Sequence, residues 1–279
     1  MITIGLTGWS DHDLIASDRK RKLEDYASHF PFVELDTSFY GIPSEKSIQS
    51  WINKTPDTFH FIPKANSVMT LHRPWEQDAQ SLEEVFDLFK IRFYPMLQAK
   101  RIKAFLFQFP PFFHCSQKNV AYLEQVSEFM GALPVAVEFR HPSWYSEENR
   151  KHTLALLRKY FFIHTVVDQP QTPGNSVPSI LEATNKKLTL YRLHGQNYSG
   201  WLNAGDDPDW RENRTLHDYT ADELREIQKN ALLLEKDTEE VAVIFNNNSG
   251  GHAAKNAKEF QNLLAIDFEG LNPQQLDLF

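Results

Sequence analysis

The chain has 279 residues, 41% hydrophobic and 24% charged, with a formal net charge of −8. These are ordinary values for a large soluble domain, and the acidic balance argues against broad, non-specific binding to nucleic acid. The single cysteine, Cys115, excludes an internal disulfide and fits a reducing compartment.

The first strand is expected at 2–8 (ITIGLTG), with no basic-then-apolar leader around it; the protein is therefore expected in the cytoplasm. A helical pattern near 19–29 leads to a second strand at 32–39, and one near 44–53 to a third at 59–65. Leu82, Val85, Phe86, Phe89 and Phe93 recur at helical spacing over 80–98, ahead of a fourth strand at 104–109. A helix at 117–130 precedes the fifth strand (135–140), and one at 147–159 the sixth (161–168). The stretch after it is rich in proline and reads as loop, with a short helix over 177–183 before a seventh strand at 187–194. A helix at 221–236, an eighth strand at 240–246 and a helix at 252–264 complete the pattern. No run approaches the roughly 18 apolar residues of a membrane helix, so no membrane partner is expected.

Strict alternation of strands and helices means parallel strands with helical crossovers. Eight units in this length predict an α/β fold, a single (β/α)8 TIM-type barrel over 1–266 with a short C-terminal tail over 267–279. An open doubly wound sheet is the alternative, weakened by the lack of a glycine-rich dinucleotide turn after the first strand. The 21 phenylalanines are expected to fill the interior.

In a barrel, alternate strand residues point inward and the C-terminal strand ends form the active-site mouth. In the fifth strand Val135, Val137 and Phe139 should pack on helices, while Ala136, Glu138 and Arg140 point inward. In the seventh, Leu188 and Leu190 share a face with Arg192 and His194. The same alternation brings Glu34, Asp36, Lys64, Asn66 and Gln108 toward that rim. Each could be part of a structural ion pair; their accumulation at one rim predicts a site. The eighth strand runs into Asn246, Asn247, Asn248, Ser249, Gly250, Gly251 and His252 and then a helix. That arrangement is suited to an anion at a helix N-terminus, or to an ordinary turn capped by Ser249. Trp9, Tyr40 and Trp144 lie at strand ends and could stack on a sugar or base.

A scattered metal site from His72, His141, His194, His252, Glu34, Asp36, Glu138 and Asp168 has no tight ligand spacing, and Lys64, Arg140 and Arg192 would repel a cation; no metal or other cofactor is expected. Cys115 reads as a buried thiol, and there is neither a GxSxG elbow nor a P-loop.

The chain resembles the YecE-like family, domain of unknown function 72. The resemblance rests on Gly5–Trp9, Val33–Tyr40, Phe61–Ala65, Phe107–Pro111, Val137–Trp144, Tyr191–Gly195, Phe245–Asn248 and Gly251–Ala253. It implies a TIM-type barrel and no settled activity. Where the resemblance implies a Thr-His pair, this chain reads Thr70-Leu71-His72.

The leading functional expectation is an enzyme, a hydrolase, lyase or isomerase acting on a phosphorylated or sugar-containing small molecule. Glu138 would be the general acid or base, His194 a proton shuttle near neutral pH, and Lys64 a counter to developing negative charge, with Glu34 and Asp36 beside them. Arg140 and Arg192 would hold anionic groups, with the Asn246–His252 loop cradling phosphate. The alternatives are a DNA repair factor, either nuclease or lesion-binding, and a non-catalytic small-molecule-binding barrel. The last five residues, Gln275, Leu276, Asp277, Leu278 and Phe279, look like the pentapeptide by which bacterial replication and repair proteins dock on the sliding clamp. Leu276, Leu278 and Phe279 would fill apolar pockets, Gln275 would bond at their edge and Asp277 would stay solvated. The other expectation for an apolar chain end is that it folds back on the barrel.

Overall fold

Several strands, those over Phe105–Gln108, Val135–Glu138 and Leu188–Leu193 most clearly, begin with apolar side chains and carry polar ones on the inner face at their ends, which suits a sheet closed on itself and wrapped in helices. A computed structural model of the protein, describing residues 1–12, 21–77, 79–173, 176–202 and 209–274, shows that arrangement. The strands are β1 (Ile2–Thr7), β2 (Phe32–Leu35), β3 (His60–Pro63), β4 (Phe105–Gln108), β5 (Val135–Glu138), β6 (Ile163–Asp168), β7 (Leu188–Leu193) and β8 (Glu240–Phe245). All pairings are parallel, in the order β3-β2-β1-β8-β7-β6-β5-β4. The seam between β3 and β4 is closed by bridges at Phe61–Ile102 and Lys64–Leu106, with Phe61 N–H donating to Arg101 (2.7 Å) and Ala65 N–H to Leu106 (2.8 Å). The fold is a TIM-type α/β barrel.

The helices are α1 (Lys22–Tyr26), α2 (Thr37–Tyr40), α3 (Glu45–Asn53), α4 (Leu82–Gln98), α5 (Gln117–Met130), α6 (Arg150–Lys159), α7 (Tyr198–Leu202), α8 (Trp210–Thr215), α9 (Ala221–Glu235) and α10 (His252–Leu264). Ser44, Ser81, Ser116 and Thr220 cap the N-termini of α3, α4, α5 and α9 with side-chain oxygens. Two expectations fail here. The strand expected to continue to residue 39 stops at Leu35, and Thr37–Tyr40 makes a helical turn instead. The helix expected over 177–183 does not form. Pro178 interrupts that segment, whose polar groups bond outward: Gln169 donates to the Val177 carbonyl, and the Glu182 carbonyl bonds His164 Nδ1.

Two apolar layers result. Phe32, Ile62, Leu106, Ala136, Ile163, Leu190 and Ile244 fill the barrel floor. A larger aromatic layer lies between strands and helices, where Phe89 and Phe93 of α4 pack on Phe105, and Phe109, Phe113, Phe139 and Trp144 stack. The phenylalanines therefore serve packing, each fully buried ring contributing roughly 1.5–3 kcal/mol. Among the described residues no helix is long and apolar enough to cross a membrane.

The chain after α10 crosses the N-terminal end of the barrel. Asn272 donates through its backbone N–H to the Ala27 carbonyl and through its side chain to the carbonyls of Glu24 and Lys54, while Gln274 donates to Ser28. These are carbonyls at the C-terminal ends of α1 and α3, which helix geometry leaves unpaired.

Candidate active site at the barrel mouth

Above the apolar floor, the strand ends bring Glu34, Lys64, Glu138, Arg192 and His194 to one end of the barrel, joined by Gln108 and Asn246. Arg192 is 1% exposed and lies between two carboxylates that are fully buried. It forks onto Glu34 through Nε (2.8 Å) and Nη2 (2.7 Å), and donates through Nη1 to Glu138. The other Glu138 oxygen accepts from Gln108 (2.6 Å) and faces His194 Nε2 (3.2 Å). His194 Nδ1 faces the Asn246 amide nitrogen at 2.8 Å, so the Asn246 amide donates there and the ring proton sits on Nε2, toward Glu138. Each charged group of this network and both ring nitrogens of His194 have a partner within it.

The electrostatics correct two roles expected from the sequence. Burial alone would push the Glu138 carboxyl up, but Arg192, His194 and Arg140 outweigh it and hold the group well below the usual range. It has no proton to give at neutral pH, and its oxygens are already occupied. Burial pushes the His194 imidazole down to about 3, which favours a neutral ring at pH 7. Burial pushes Glu34 up from its ordinary value even with Arg192 beside it.

One level higher the charges are less well matched. Arg140 is 3.6 Å from Glu138, and its guanidinium lies over the Trp201 ring, 4.5 Å from the centroid. Arg214, on α8, lies 5.4 Å from the same ring and 5.1 Å from that of Trp210. The Nε atoms of both arginines are buried without a hydrogen-bond partner, and Arg214 makes no ion pair among the described residues. Burial and the neighbouring Arg140 lower the Arg214 guanidinium to about 9. Facing them, Lys64 Nζ is 2.9 Å from Asp36 and lies over Phe39. The Asp36 carboxyl would be raised by burial, but Lys64 more than reverses this and lowers it. Its side chain is 35% exposed, whereas those of Glu34 and Glu138 are fully buried.

The other expected residues fall into three groups. Trp144 is fully buried, stacked 4.1 Å from Phe139 with its N–H on the Phe113 carbonyl, so it packs the core and cannot stack on a ligand. Trp9 is half-buried and edge-on to Trp51, while Tyr40 is exposed beside Phe39. In the eighth-strand loop, Gly250 and Gly251 adopt positive φ (69° and 74°), which glycine allows without strain, and Gly251 rather than Ser249 occupies the N-cap of α10. Ser249 bonds instead to Thr215 (2.7 Å), and Asn248 donates to the Thr7 carbonyl. The Thr70-Leu71-His72 departure is accommodated by Leu71 at φ 59°, which folds His72 Nδ1 back to 2.8 Å from the Thr70 hydroxyl. Gln275, Leu276, Asp277, Leu278 and Phe279 lie outside the described residues. Among the described residues no group of three or more His, Cys, Asp or Glu side chains could hold a metal ion.

Sequence reasoning missed Arg214 and Trp201. They lie in a stretch after the seventh strand that has no periodicity. The available signal was the concentration of Trp, Arg and Asn there, in a region too long for a simple turn.

Residues 3–277 match the family model described as "Protein of unknown function DUF72". The UPF0759 protein YunF of Bacillus subtilis (strain 168) is 45% identical over the full length of both chains. The UPF0759 protein YecE of Escherichia coli (strain K12) is 28% identical over 55% of this chain and 54% of its own. A crystal structure of a DUF72 family protein from Enterococcus faecalis V583 superposes with a TM-score of 0.94 at 39% identity, covering 99% of this chain and 100% of that one. One from Thermotoga maritima MSB8 gives 0.81 at 31% identity, covering 95% and 100%. The chain belongs to the DUF72 family.

Proposed function

We propose that the barrel mouth is the active site of an enzyme, a hydrolase, lyase or isomerase, whose small-molecule substrate carries a phosphate or similar anionic group. The observation that carries this reading is the pair Arg140 and Arg214. Two guanidiniums, Arg140 buried and Arg214 half-buried, share one indole, and among the described residues only Arg140 comes within ion-pair distance of a carboxylate, at 3.6 Å. Bringing like charges together in a poorly solvated place is unfavourable unless an anion completes the arrangement. A guanidinium over an indole can still present N–H groups to phosphate or carboxylate oxygens in bidentate contact. Arg214 reaches the glycine turn before α10 through the adjacent Thr215–Ser249 bond, so helix N-terminus and arginines can share one ligand.

The chemistry then falls to Lys64 and Asp36. Asp36 is ionised, half-buried and, among the described residues, bonded through its side chain only to Lys64, which leaves lone pairs to accept a substrate proton. Lys64 sits where it can counter charge developing on the substrate. Glu34, Glu138, Arg192 and His194 act beneath them as a rigid base, and Glu138 positions Arg140. The test is calorimetry and thermal denaturation with inorganic phosphate. A hundredfold excess over Kd should stabilise the wild type by about 2.7 kcal/mol, and Arg214→Met should remove most of that gain. No stabilisation of the wild type by phosphate or by simple phosphomonoesters would overturn the anion site.

A second reading concerns a partner, the bacterial sliding clamp. Asn272 and Gln274 anchor the chain at the end of the barrel opposite the mouth, so a partner gripping the last five residues would leave the site open. Docking there would place the barrel at replication or repair sites and would make a DNA-linked substrate the natural alternative. Purified clamp should bind the intact chain and not one lacking residues 275–279; equal binding by both would refute it.

A further inference from the structure

Four amide side chains around the mouth share one orientation, and we infer from it that the anionic ligand is also rich in hydroxyl groups, a sugar phosphate or polyol phosphate. This rests on the anion site proposed above. Gln108 Nε2 donates to Glu138 (2.6 Å), Gln196 Nε2 to Asp168 (2.7 Å), Asn246 Nδ2 to His194 Nδ1 (2.8 Å) and Asn248 Nδ2 to the Thr7 carbonyl (2.8 Å). Each partner accepts: two carboxylate oxygens, an unprotonated ring nitrogen and a backbone oxygen. The identity of each amide end is therefore fixed by chemistry, with nitrogen toward the protein and oxygen left over.

Those oxygens make no hydrogen bonds among the described residues. Asn248 Oδ1 is buried without a partner, and so is the neighbouring Thr7 hydroxyl. Gln108, Gln196 and Asn246 are half-buried at the ends of β4, β7 and β8. Buried polar atoms are almost always paired in a folded protein, so Asn248 Oδ1 and the Thr7 hydroxyl need a partner, and the half-buried oxygens of Gln108, Gln196 and Asn246 add acceptors that a ligand can use in place of water. A phosphate has no donor to give as a dianion. A hydroxyl suits the site on both counts, donating to an amide oxygen and accepting from the second N–H of the same or a neighbouring amide. Asp168 and Tyr219 hold Gln196 and Gly195 in place, with the Tyr219 hydroxyl donating to Asp168 (2.6 Å) and accepting from Gly195 N–H (2.8 Å), so the acceptor row is rigid. Rigidity is what converts hydrogen bonding into discrimination. A site built to bond hydroxyls rejects an analogue without them far more strongly than an apolar pocket rejects a missing methylene.

The experiment is titration calorimetry on the full-length chain with matched ring phosphates: pentose and hexose phosphates against cyclopentyl and cyclohexyl phosphate, with the free sugars as a third arm. At least one sugar phosphate is expected to bind tenfold or more tightly than the hydroxyl-free ring of the same size. Equal binding, or tighter binding of the hydroxyl-free rings, overturns the hydroxyl inference and leaves the anion site standing. Binding of a free sugar as tight as its phosphate, with no response to inorganic phosphate, overturns the anion site and the phosphate half of this inference. Absence of binding by every probe overturns both.

Discussion

The deep and shallow levels of the mouth are built from the same residue types and differ in how their charges are matched. In the deep level Arg192 is flanked by Glu34 and Glu138, and Gln108, His194 and Asn246 complete the hydrogen bonds. In the shallow level Arg140 has only a 3.6 Å approach to Glu138, and Arg214 makes no ion pair among the described residues. A satisfied ionic network under an apolar-walled mouth is a foundation; an unsatisfied one above it is a place for a ligand. The difference also separates stability from function. Charges paired within the protein should be costly to remove and indifferent to ligands, and unpaired ones the reverse.

The harshest way to break the comparison is Arg192→Met. It leaves two buried carboxylates facing each other with the intervening cation gone. Removing one partner of a buried ion pair costs roughly 3–5 kcal/mol, and here two pairs share the residue, so the loss should lie at the top of that range. Urea denaturation checks it; a change below about 1 kcal/mol would mean that the network is not holding the mouth together.

Acid titration gives the next largest effect. The Glu138 carboxyl is held well below its ordinary value, so the stability it contributes is fully present above the unfolded-state value near 4.3 and is lost as pH falls through its own lower one. Glu138→Gln removes that dependence and should flatten the acid limb of a stability–pH curve. At pH 7 it should cost about 1–3 kcal/mol, because Arg192 keeps Glu34 while Gln108 and His194 lose an ionised acceptor. An acid limb unchanged in the variant would show that Glu138 is not the group responsible.

The deep level was legible from the sequence and the shallow one only in part, for a physical reason. Strand residues obey a period of two, so the inward positions of Glu138, Arg192 and His194 follow from the alternation with Val137, Tyr191 and Leu193. Roles do not follow from position. His194 reads as a switch near pH 7 until its burial is known, and Trp144 as a stacking platform until Phe139 and Phe113 are seen against it. Arg214 comes from a segment without periodicity, and its place over Trp201 depends on how α7 and α8 pack on each other, which no local pattern encodes. The end of β2 was misread for the same reason. Alternation continues through Asp36, Thr37 and Ser38, while the backbone turns into a helix there with Ser38 donating to the carbonyls of Leu35 and Lys64.

Arg214→Met sharpens the contrast from the other side. It removes a cation whose guanidinium is already lowered to about 9 by burial and by Arg140, and which no carboxylate among the described residues approaches within ion-pair distance. Its stability cost should be under about 1 kcal/mol, and could be a gain, because like-charge repulsion is relieved and the stem can still lie on Trp210. Binding of phosphate should fall at least tenfold. Arg192→Met and Arg214→Met would thus move stability and binding in opposite proportion. Equal stability losses in the two variants would erase the distinction between the levels.

The smallest expected effect lies farthest from the mouth. Removing residues 275–279 takes away three large apolar side chains and leaves the anchoring bonds of Asn272 and Gln274 to the ends of α1 and α3 in place. Those bonds satisfy the helix carbonyls, so the unfolding free energy should change by no more than the ±0.5 kcal/mol typical of surface changes. Phosphate affinity should be unchanged, since the anchor sits at the opposite end of the barrel. Binding to the clamp should disappear. The two explanations of an apolar chain end separate cleanly here. A segment folded back over a helix seam would bury roughly a Phe and two Leu, worth several kcal/mol by burial, and its deletion would lower the thermal midpoint by many degrees. A segment kept for a partner leaves that midpoint where it was. Thermal denaturation of the shortened chain therefore decides between them before any partner is added.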